Sequence, residues 1–201
     1  IRQVATPDLK RPGTGRLLFV DLGGGHHRLG GSALAQVYAQ VGDDVPDFED
    51  AGLLGRAFDA VQRLIGEGLV TAGHDRSDGG LVTTLLEMAF AGNCGVEVTL
   101  EGNADGAIPL LFAEELGLIL EVDDSDAGRV METLGAARVP CVAIGRGIAE
   151  PRARITVGGT VVLDEDVRVL RDLWEATSFE LDALQADADC VRQEREGLRH
   201  R

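Results

Sequence analysis

Twice in this chain a short apolar run ends in a polar, glycine-bearing turn from which a helical pattern starts, and this repeated junction constrains the fold more than any other feature. In the first, Leu17-Leu18-Phe19-Val20 runs into Asp21-Leu22-Gly23-Gly24-Gly25 and on to Gly30-Gly31-Ser32, after which Ala33-Leu34-Ala35-Gln36-Val37-Tyr38 is helical in pattern. In the second, Leu69-Val70-Thr71-Ala72 leads through His74-Asp75-Arg76-Ser77-Asp78-Gly79-Gly80 to apolar side chains at helical spacing from Leu81 to Phe90. Short β-branched runs read as buried strands and the spacing after each turn as helix. Strands passing directly into helices, with helices too numerous for a sandwich, predict a layered α/β domain with a mixed sheet.

The second junction also carries chemistry. The first amides of a helix lack intrahelical partners and attract anions. Ser77 or Asp78 could satisfy them as an ordinary N-cap, whereas Gly79 and Gly80 would also let a phosphate approach the backbone closely. An acidic side chain beside an anion makes sense with a cation between them. Asp75 is therefore the candidate ligand for magnesium, which favours hard oxygen donors and shares them with phosphate. Gly30, Gly31 and Ser32 offer a weaker version of the same cradle, since glycine pairs are also ordinary turn residues.

Acids outnumber bases 34 to 19, for a net charge of −15, which argues against a partner with a phosphate backbone because such partners need a basic face. Lys10 is the sole lysine, so a phosphate loop of the glycine-lysine-serine/threonine type is absent. Cys94, Cys141 and Cys190 are odd in number and widely spaced without a CxxC, so they are expected to be reduced, partly buried thiols. The sequence has no stretch near the ~20 apolar residues of a membrane span and no apolar leader core, and a cytoplasmic protein with no membrane partner is expected. The chain opens on Ile1 and not on methionine, which suggests a piece of something longer.

Residues 1–15, with Pro7, Pro12, Gly13 and Gly15, read as a lead-in loop, residues 16–165 as the α/β domain, and 166–201 as a helix and linker. Within the domain a long helix is expected over 48–69, with Leu53, Leu54, Ala57, Phe58, Val61, Leu64 and Ile65 on one face. An alternating strand follows at 95–100, a proline-led short helix over 109–117 and a strand over 118–122. Asp124 or Ser125 can cap a helix over Val130, Met131 and Leu134, a strand covers 139–144, and Gly158-Gly159-Thr160 turns an edge hairpin. Leu170, Leu173, Trp174, Thr177, Leu181 and Leu184 form a stripe that either folds back on the domain or meets a neighbour, ahead of a charged tail over 187–201.

Other residues carry bland readings. His26 and His27 are adjacent without a carboxylate pair and read as solvated or interfacial. Glu114 and Glu115 read as a capping or solvated pair, and Met88 and Phe90 as core. No Ser-His-Asp order or paired-carboxylate arrangement can be argued, so a self-contained hydrolase is disfavoured.

Four segments together carry a resemblance: 27–36 (His-Arg-Leu-Gly-Gly-Ser-Ala-Leu-Ala-Gln), 73–82 (Gly-His-Asp-Arg-Ser-Asp-Gly-Gly-Leu-Val), 86–95 (Leu-Glu-Met-Ala-Phe-Ala-Gly-Asn-Cys-Gly) and 111–117 (Leu-Phe-Ala-Glu-Glu-Leu-Gly). In order and spacing they resemble the large, multidomain phosphoribosylformylglycinamidine synthase family. Trp174-Glu175-Ala176-Thr177-Ser178-Phe179 and the arginine-rich end resemble the connection to that family's glutaminase domain.

The resemblance implies the second C-terminal-type domain of the synthetase half, a fold shared with aminoimidazole ribonucleotide synthetase. It implies part of an ATP-dependent ligase that converts formylglycinamide ribonucleotide to its amidine with glutamine-derived ammonia, the amide oxygen being activated by phosphoryl transfer. Asp75 resembles that family's magnesium-ligating aspartate and Ser77 its nucleotide-contacting serine, at an auxiliary Mg2+ and ATP/ADP site. The implied partners are the other synthetase domains and the glutaminase domain of the same polypeptide. The family's further magnesium ligands would lie before residue 1 and its glutaminase nucleophile after residue 201, so the chain alone is not expected to be catalytic. The alternative is a stand-alone nucleotide-binding or interaction module. Selenophosphate and thiamine-phosphate kinases, of related architecture, fit the motifs less well.

Overall fold

The structure, a computed structural model, describes residues 3–197. A seven-stranded mixed sheet forms its centre, built from β1 (Gly15–Asp21), β2 (Val70–Asp75), β3 (Gly95–Leu100), β4 (Gly117–Asp123), β5 (Cys141–Ile148), β6 (Arg152–Val157) and β7 (Thr160–Asp166). The spatial order is β2-β4-β1-β5-β3-β6-β7. All neighbours are antiparallel except β3 and β6, which run parallel.

The apolar run of β1 is continuous because both of its faces are covered. Leu17 and Phe19 join one core cluster and Leu18 and Val20 the other. The first cluster lies under α3 (Gly80–Gly92) and α4 (Ala107–Phe112), and the second under α2 (Ala51–Gly66) and α5 (Ala127–Ala136). The expected α/β layering is thus present, with helices on both faces of a mixed sheet. β3 shows the predicted alternation, with Val96, Val98 and Leu100 inward and Glu97 and Thr99 outward. The hairpin between β6 and β7 turns on Gly158 and Gly159 at φ of +55° and +84°, as a two-residue primed turn demands, and β7 lies at the sheet edge.

Several boundaries differ from expectation. α2 starts at Ala51, where the Asp50 carboxylate accepts from the Leu53 amide at 2.9 Å, and it rotates so that Ala57, Ala60, Val61 and Leu64 face the sheet. Small residues there allow close approach, and Leu54 and Phe58 are left exposed. α4 starts two residues before Pro109, which then sits in the first turn where its missing N–H costs little, and ends before Ala113. Neither Asp124 nor Ser125 caps α5 through its side chain; a single 3-10 turn over Asp124–Asp126 leads in instead. β5 starts after Pro140, which has no N–H to give a ladder, and continues to Ile148.

The lead-in segment is not loose. Buried Glu121 accepts from the backbone amides of Lys10 and Arg11 at 2.9 and 3.0 Å and from the Thr71 hydroxyl at 2.6 Å, strapping it across the sheet. Cys94 is buried, Cys141 partly so and Cys190 exposed, all as free thiols, so the expected partial burial fails only for Cys190. Burial pushes the Cys94 and Cys141 thiols up to about 11. At the other end α6 (Val167–Asp182) folds back only at its start, with Val167 and Arg171 buried, and the Phe90 and Trp174 rings meet at 5.7 Å. Beyond that, Leu173, Trp174, Leu181 and Leu184 are exposed. The charged tail forms α7 (Ala188–Gly197); its remainder, with Ile1 and Arg2 of the lead-in, lies outside the described residues.

Candidate functional site

The structure brings the two glycine junctions together around the segment Ala113–Leu116, which joins α4 to β4. A single oxygen of Glu114, Oε1, accepts from the Ala33 amide at the start of α1 (Ala33–Val37) and from the Gly79 amide at the start of α3, each at 2.8 Å. Next to it, the fully buried Glu115 accepts from Arg28 Nε at 2.7 Å, Arg28 Nη2 at 2.8 Å and the Arg28 amide at 3.1 Å. The Glu115 carbonyl accepts from Arg76 Nε at 2.5 Å and the Leu116 carbonyl from Arg76 Nη2 at 3.0 Å. Residues 28 and 33 bracket the glycine loop, and residues 76 and 79 bracket Ser77-Asp78. Glu114, Glu115 and Leu116 therefore hold both ends of both loops.

Arg76 sits at the centre of this arrangement, 4% exposed, with its guanidinium 5.0 Å from the Phe19 ring centroid and 3.5 Å from Asp21 Oδ1. Its Nη1 has no hydrogen-bond partner among the described residues. Burial lowers its pKa from the usual arginine value, opposed by the charges of Asp21 and Glu115. Desolvation pushes the Glu115 carboxyl up, but hydrogen bonds from Arg28 and the charges of Arg28 and Arg76 overcome it and hold the group below the ordinary glutamate value. Asp21 spans the preceding turn by accepting from the Gly23 and Gly25 amides at 3.0 and 2.8 Å.

The expected site residues divide into two kinds. Asp75 ends β2 with its side chain 71% exposed, its nearest ionic neighbour being His74 Nδ1 at 3.4 Å, while His74 Nε2 faces Glu87 at 3.1 Å. Ser77 and Asp78 are exposed on the loop that follows. Neither caps α3, contrary to one sequence reading: Gly79 occupies the N-cap position with left-handed geometry, and the carboxylate that serves its amide is the distant Glu114.

The glycines are already committed internally. The amides of Gly30 and Gly31 donate to the Asp44 and Val41 carbonyls at 2.8 and 2.7 Å, and that of Gly80 to the Ser77 carbonyl at 2.9 Å. Ser32, almost wholly buried, caps α1 by accepting from the Ala35 amide and donates to the Leu29 carbonyl. Close packing accounts for two of these glycines: a Cβ on Gly80 would stand 2.7 Å from the Leu111 carbonyl oxygen, and one on Gly30 2.5 Å from that of Asp44. The phosphate-cradle reading of the glycine amides thus finds no spare donor in this conformation.

Two clefts flank the arrangement. One, of about 410 Å3 between α2 and the β2–β4 edge, has Leu22, Leu54, Phe58 and Leu116 on its walls and His74, Asp75 and Arg76 on its floor and rim. The other, of about 770 Å3, opens beside the first junction between Leu29, Leu34, Tyr38, Ile108 and Phe112, with His27 at its edge. His26 and His27 are both exposed, in keeping with the bland reading. Among the described residues no group of three or more His, Cys, Asp or Glu side chains is placed to hold a metal, and no helix is long and apolar enough to cross a membrane.

Residues 18–158 match the family described as AIR synthase related protein, C-terminal domain. The chain belongs to that family. It is 51% identical over its whole length to a probable phosphoribosylformylglycinamidine synthase, chloroplastic/mitochondrial, of Arabidopsis thaliana, and 50% identical to the phosphoribosylformylglycinamidine synthase of Homo sapiens. It spans only 14% and 15% of those relatives' lengths. Among solved structures it resembles Thermotoga maritima PurL complexed with ATP, at TM-score 0.66 and 18% identity over 84% of this chain and 27% of that one. It also resembles the hydrogenase maturation protein HypE, at TM-score 0.55 and 19% identity over 83% of this chain and 57% of that one. At such identities these likenesses establish the fold alone.

Sequence reasoning missed the frame. Glu114 does cap, but the amides it serves start α1 and α3 and not its own helix, and buried Glu115 pairs with Arg28; a local pattern has no means of announcing either. The one available signal was Arg76, a bulky cation in the middle of a tight glycine turn, which needs carbonyls or carboxylates from elsewhere to be buried.

Proposed function

We propose that this chain is one domain of a phosphoribosylformylglycinamidine synthase, the ligase that makes formylglycinamidine ribonucleotide from formylglycinamide ribonucleotide with ATP and glutamine. The observation that carries this reading is identity of about half over the entire chain to two relatives of that name, each some seven times longer. In this reading the chain supplies part of a Mg2+–nucleotide site and performs no turnover by itself.

The donor set fits a hard cation in kind and falls short of one in number. Asp75 offers an exposed carboxylate at a strand end, followed two residues later by the exposed Ser77 hydroxyl. Magnesium is bound through one or two carboxylates together with phosphate oxygens and retained waters. Asp75 would hold the metal and Ser77 the nucleotide, with further ligands coming from companion domains; when bound, the metal neutralises phosphate charge. Glycines 30, 31, 79 and 80 and Ser32 would act here by shaping the two loops. Their spent hydrogen bonds support that part better than direct phosphate contact. Companion synthetase domains and a glutaminase domain of the same polypeptide are the proposed partners, and the exposed apolar stripe of α6 supports a covered surface in the longer protein. A cytoplasmic location belongs to the same proposal; the printed name of the Arabidopsis relative assigns that protein to an organelle.

Asp75→Asn in the full-length enzyme tests the site. Asparagine keeps the shape and removes the charge, so Mg2+-dependent ADP retention is expected to weaken roughly tenfold or more, about 1.4 kcal/mol. The melting temperature without nucleotide should stay nearly unchanged, because the side chain is exposed and its one ionic neighbour, His74, makes a surface contact of small worth. Unchanged ADP retention in a folded variant would refute the metal role.

A further inference from the structure

We infer that Glu114 is a positioning residue for the nucleotide site, fixing the Asp75–Ser77 loop against the Arg28–Ser32 loop by gripping the backbone amides of Gly79 and Ala33 with one carboxylate oxygen. The inference deepens the proposed Mg2+–nucleotide reading and rests on it.

Three observations converge. First, both amides reach the same Oε1 at 2.8 Å, although residues 33 and 79 lie 46 positions apart and belong to different helices. One acceptor oxygen shared by two donors fixes their separation, which two independent caps would not. Second, no side chain of the loop caps the helix it leads into: Gly79 has none to offer, and Ser77 and Asp78 are exposed and do not serve as the cap. Third, the neighbouring Glu115 anchors the opposite ends of the same two loops through Arg28 and the Arg76 guanidinium. With residues 28 and 33 fixed on one side and 76 and 79 on the other, Ser77 and the adjoining Asp75 are offered in one orientation. Ligands held before binding do not lose their freedom on binding, and that loss weakens affinity where a loop is free.

The role depends on reach and hydrogen-bond acceptance, and three variants separate these from charge. Glu114→Gln keeps the length and one acceptor oxygen but loses the charge. Glu114→Asp keeps the charge but is one methylene too short to meet both amides. Glu114→Ala loses both. In the full-length enzyme, the measurement is the Kd for Mg-ADP together with the rise in melting temperature that Mg-ADP produces over the nucleotide-free protein.

The expected result is Mg-ADP binding weakened about tenfold in Glu114→Ala and Glu114→Asp and within about twofold of the parent in Glu114→Gln. A purely structural role would lower the nucleotide-free melting temperature while leaving the Mg-ADP-induced rise intact, and that outcome overturns the inference. So does binding that follows charge, with Asp normal and Gln impaired, or no change in any variant. Should the alanine variant fail to fold, the Asp and Gln pair decides alone. Failure of the underlying site reading looks different: the parent enzyme itself would then show no Mg2+-dependent ADP retention.

Discussion

The loop frame around Glu114–Glu115 and the C-terminal helix α6 place opposite groups in opposite environments. In the frame, charges are inside: Arg76 and Glu115 are buried, paired with Asp21 and Arg28, while the carboxylate of Asp75 and the loop beyond it face outward. On α6, apolar groups are outside: Leu173 is 69% exposed and Trp174 53%. Buried charge is tolerated when it is paired, and within this chain Glu115 has Arg28 and Arg76 has Asp21, with only Nη1 of Arg76 left without a hydrogen bond among the described residues. An exposed row of large apolar side chains indicates a surface whose partner lies elsewhere. In the proposed reading the frame presents a site, and the helix a contact.

The strongest way to break that contrast is to disable the frame. Glu115→Ala leaves Arg28 without its buried carboxylate and takes a neighbouring negative charge from Arg76, and removing one partner of a buried pair costs about 3–5 kcal/mol. Denaturant unfolding should register a loss of that order, and a midpoint close to the parent's would show that the frame does not hold the fold. Acid gives a second view. The Glu115 carboxyl is depressed in the folded state, so its stabilisation is full above the ordinary glutamate value of about 4.3 and is lost as pH falls below it. Melting curves between pH 7 and 3 should show a steeper acid loss in the parent than in Glu115→Gln.

A smaller effect tests whether the glycines serve packing. Gly80→Ala forces φ of +72° on a residue with a side chain and drives its Cβ toward the Leu111 carbonyl oxygen, costing about 1–3 kcal/mol from backbone strain alone. Gly55 lies inside α2 with open space where its Cβ would be, and Gly55→Ala should instead stabilise by about 0.5–1 kcal/mol. Equal responses at the two positions would mean that the loop adapts, and the tight approach of α3 to the end of α4 would lose its significance.

What was legible in the sequence and what was not follow a physical line. Periodicity exposed every strand of the sheet, because alternation in β3 and continuous burial in β1 are written in adjacent residues. The junction at 74–80 was legible as a strand end and a helix start for the same reason. Glu121 and Glu114 were not, since a carboxylate that binds amides 110 or 81 residues away leaves no local trace. The rotation of α2 was also missed: seven apolar positions fitted one stripe, yet the sheet accepted the small Ala57 and Ala60 and turned Leu54 and Phe58 to the cleft. Local pattern tells which residues want burial, and packing distance decides which receive it.

The smallest effect is expected on α6, and it depends on what surrounds the helix. In this chain alone Leu173→Ser should change stability by no more than about 0.5 kcal/mol, as surface substitutions usually do. Trp174, 53% exposed with the Phe90 ring against one side, should emit as a largely water-exposed indole there. If the remaining polypeptide covers the stripe, both readings shift in the full-length protein. Leu173→Ser would then cost about 1.5–3 kcal/mol, the value of burying a large apolar side chain. Trp174, followed in a full-length variant whose other tryptophans are replaced by phenylalanine, would emit at shorter wavelength and resist acrylamide. Identical emission and quencher access in both forms would leave α6 as solvated surface, and the contrast with the frame would then be one of composition and not of partnership.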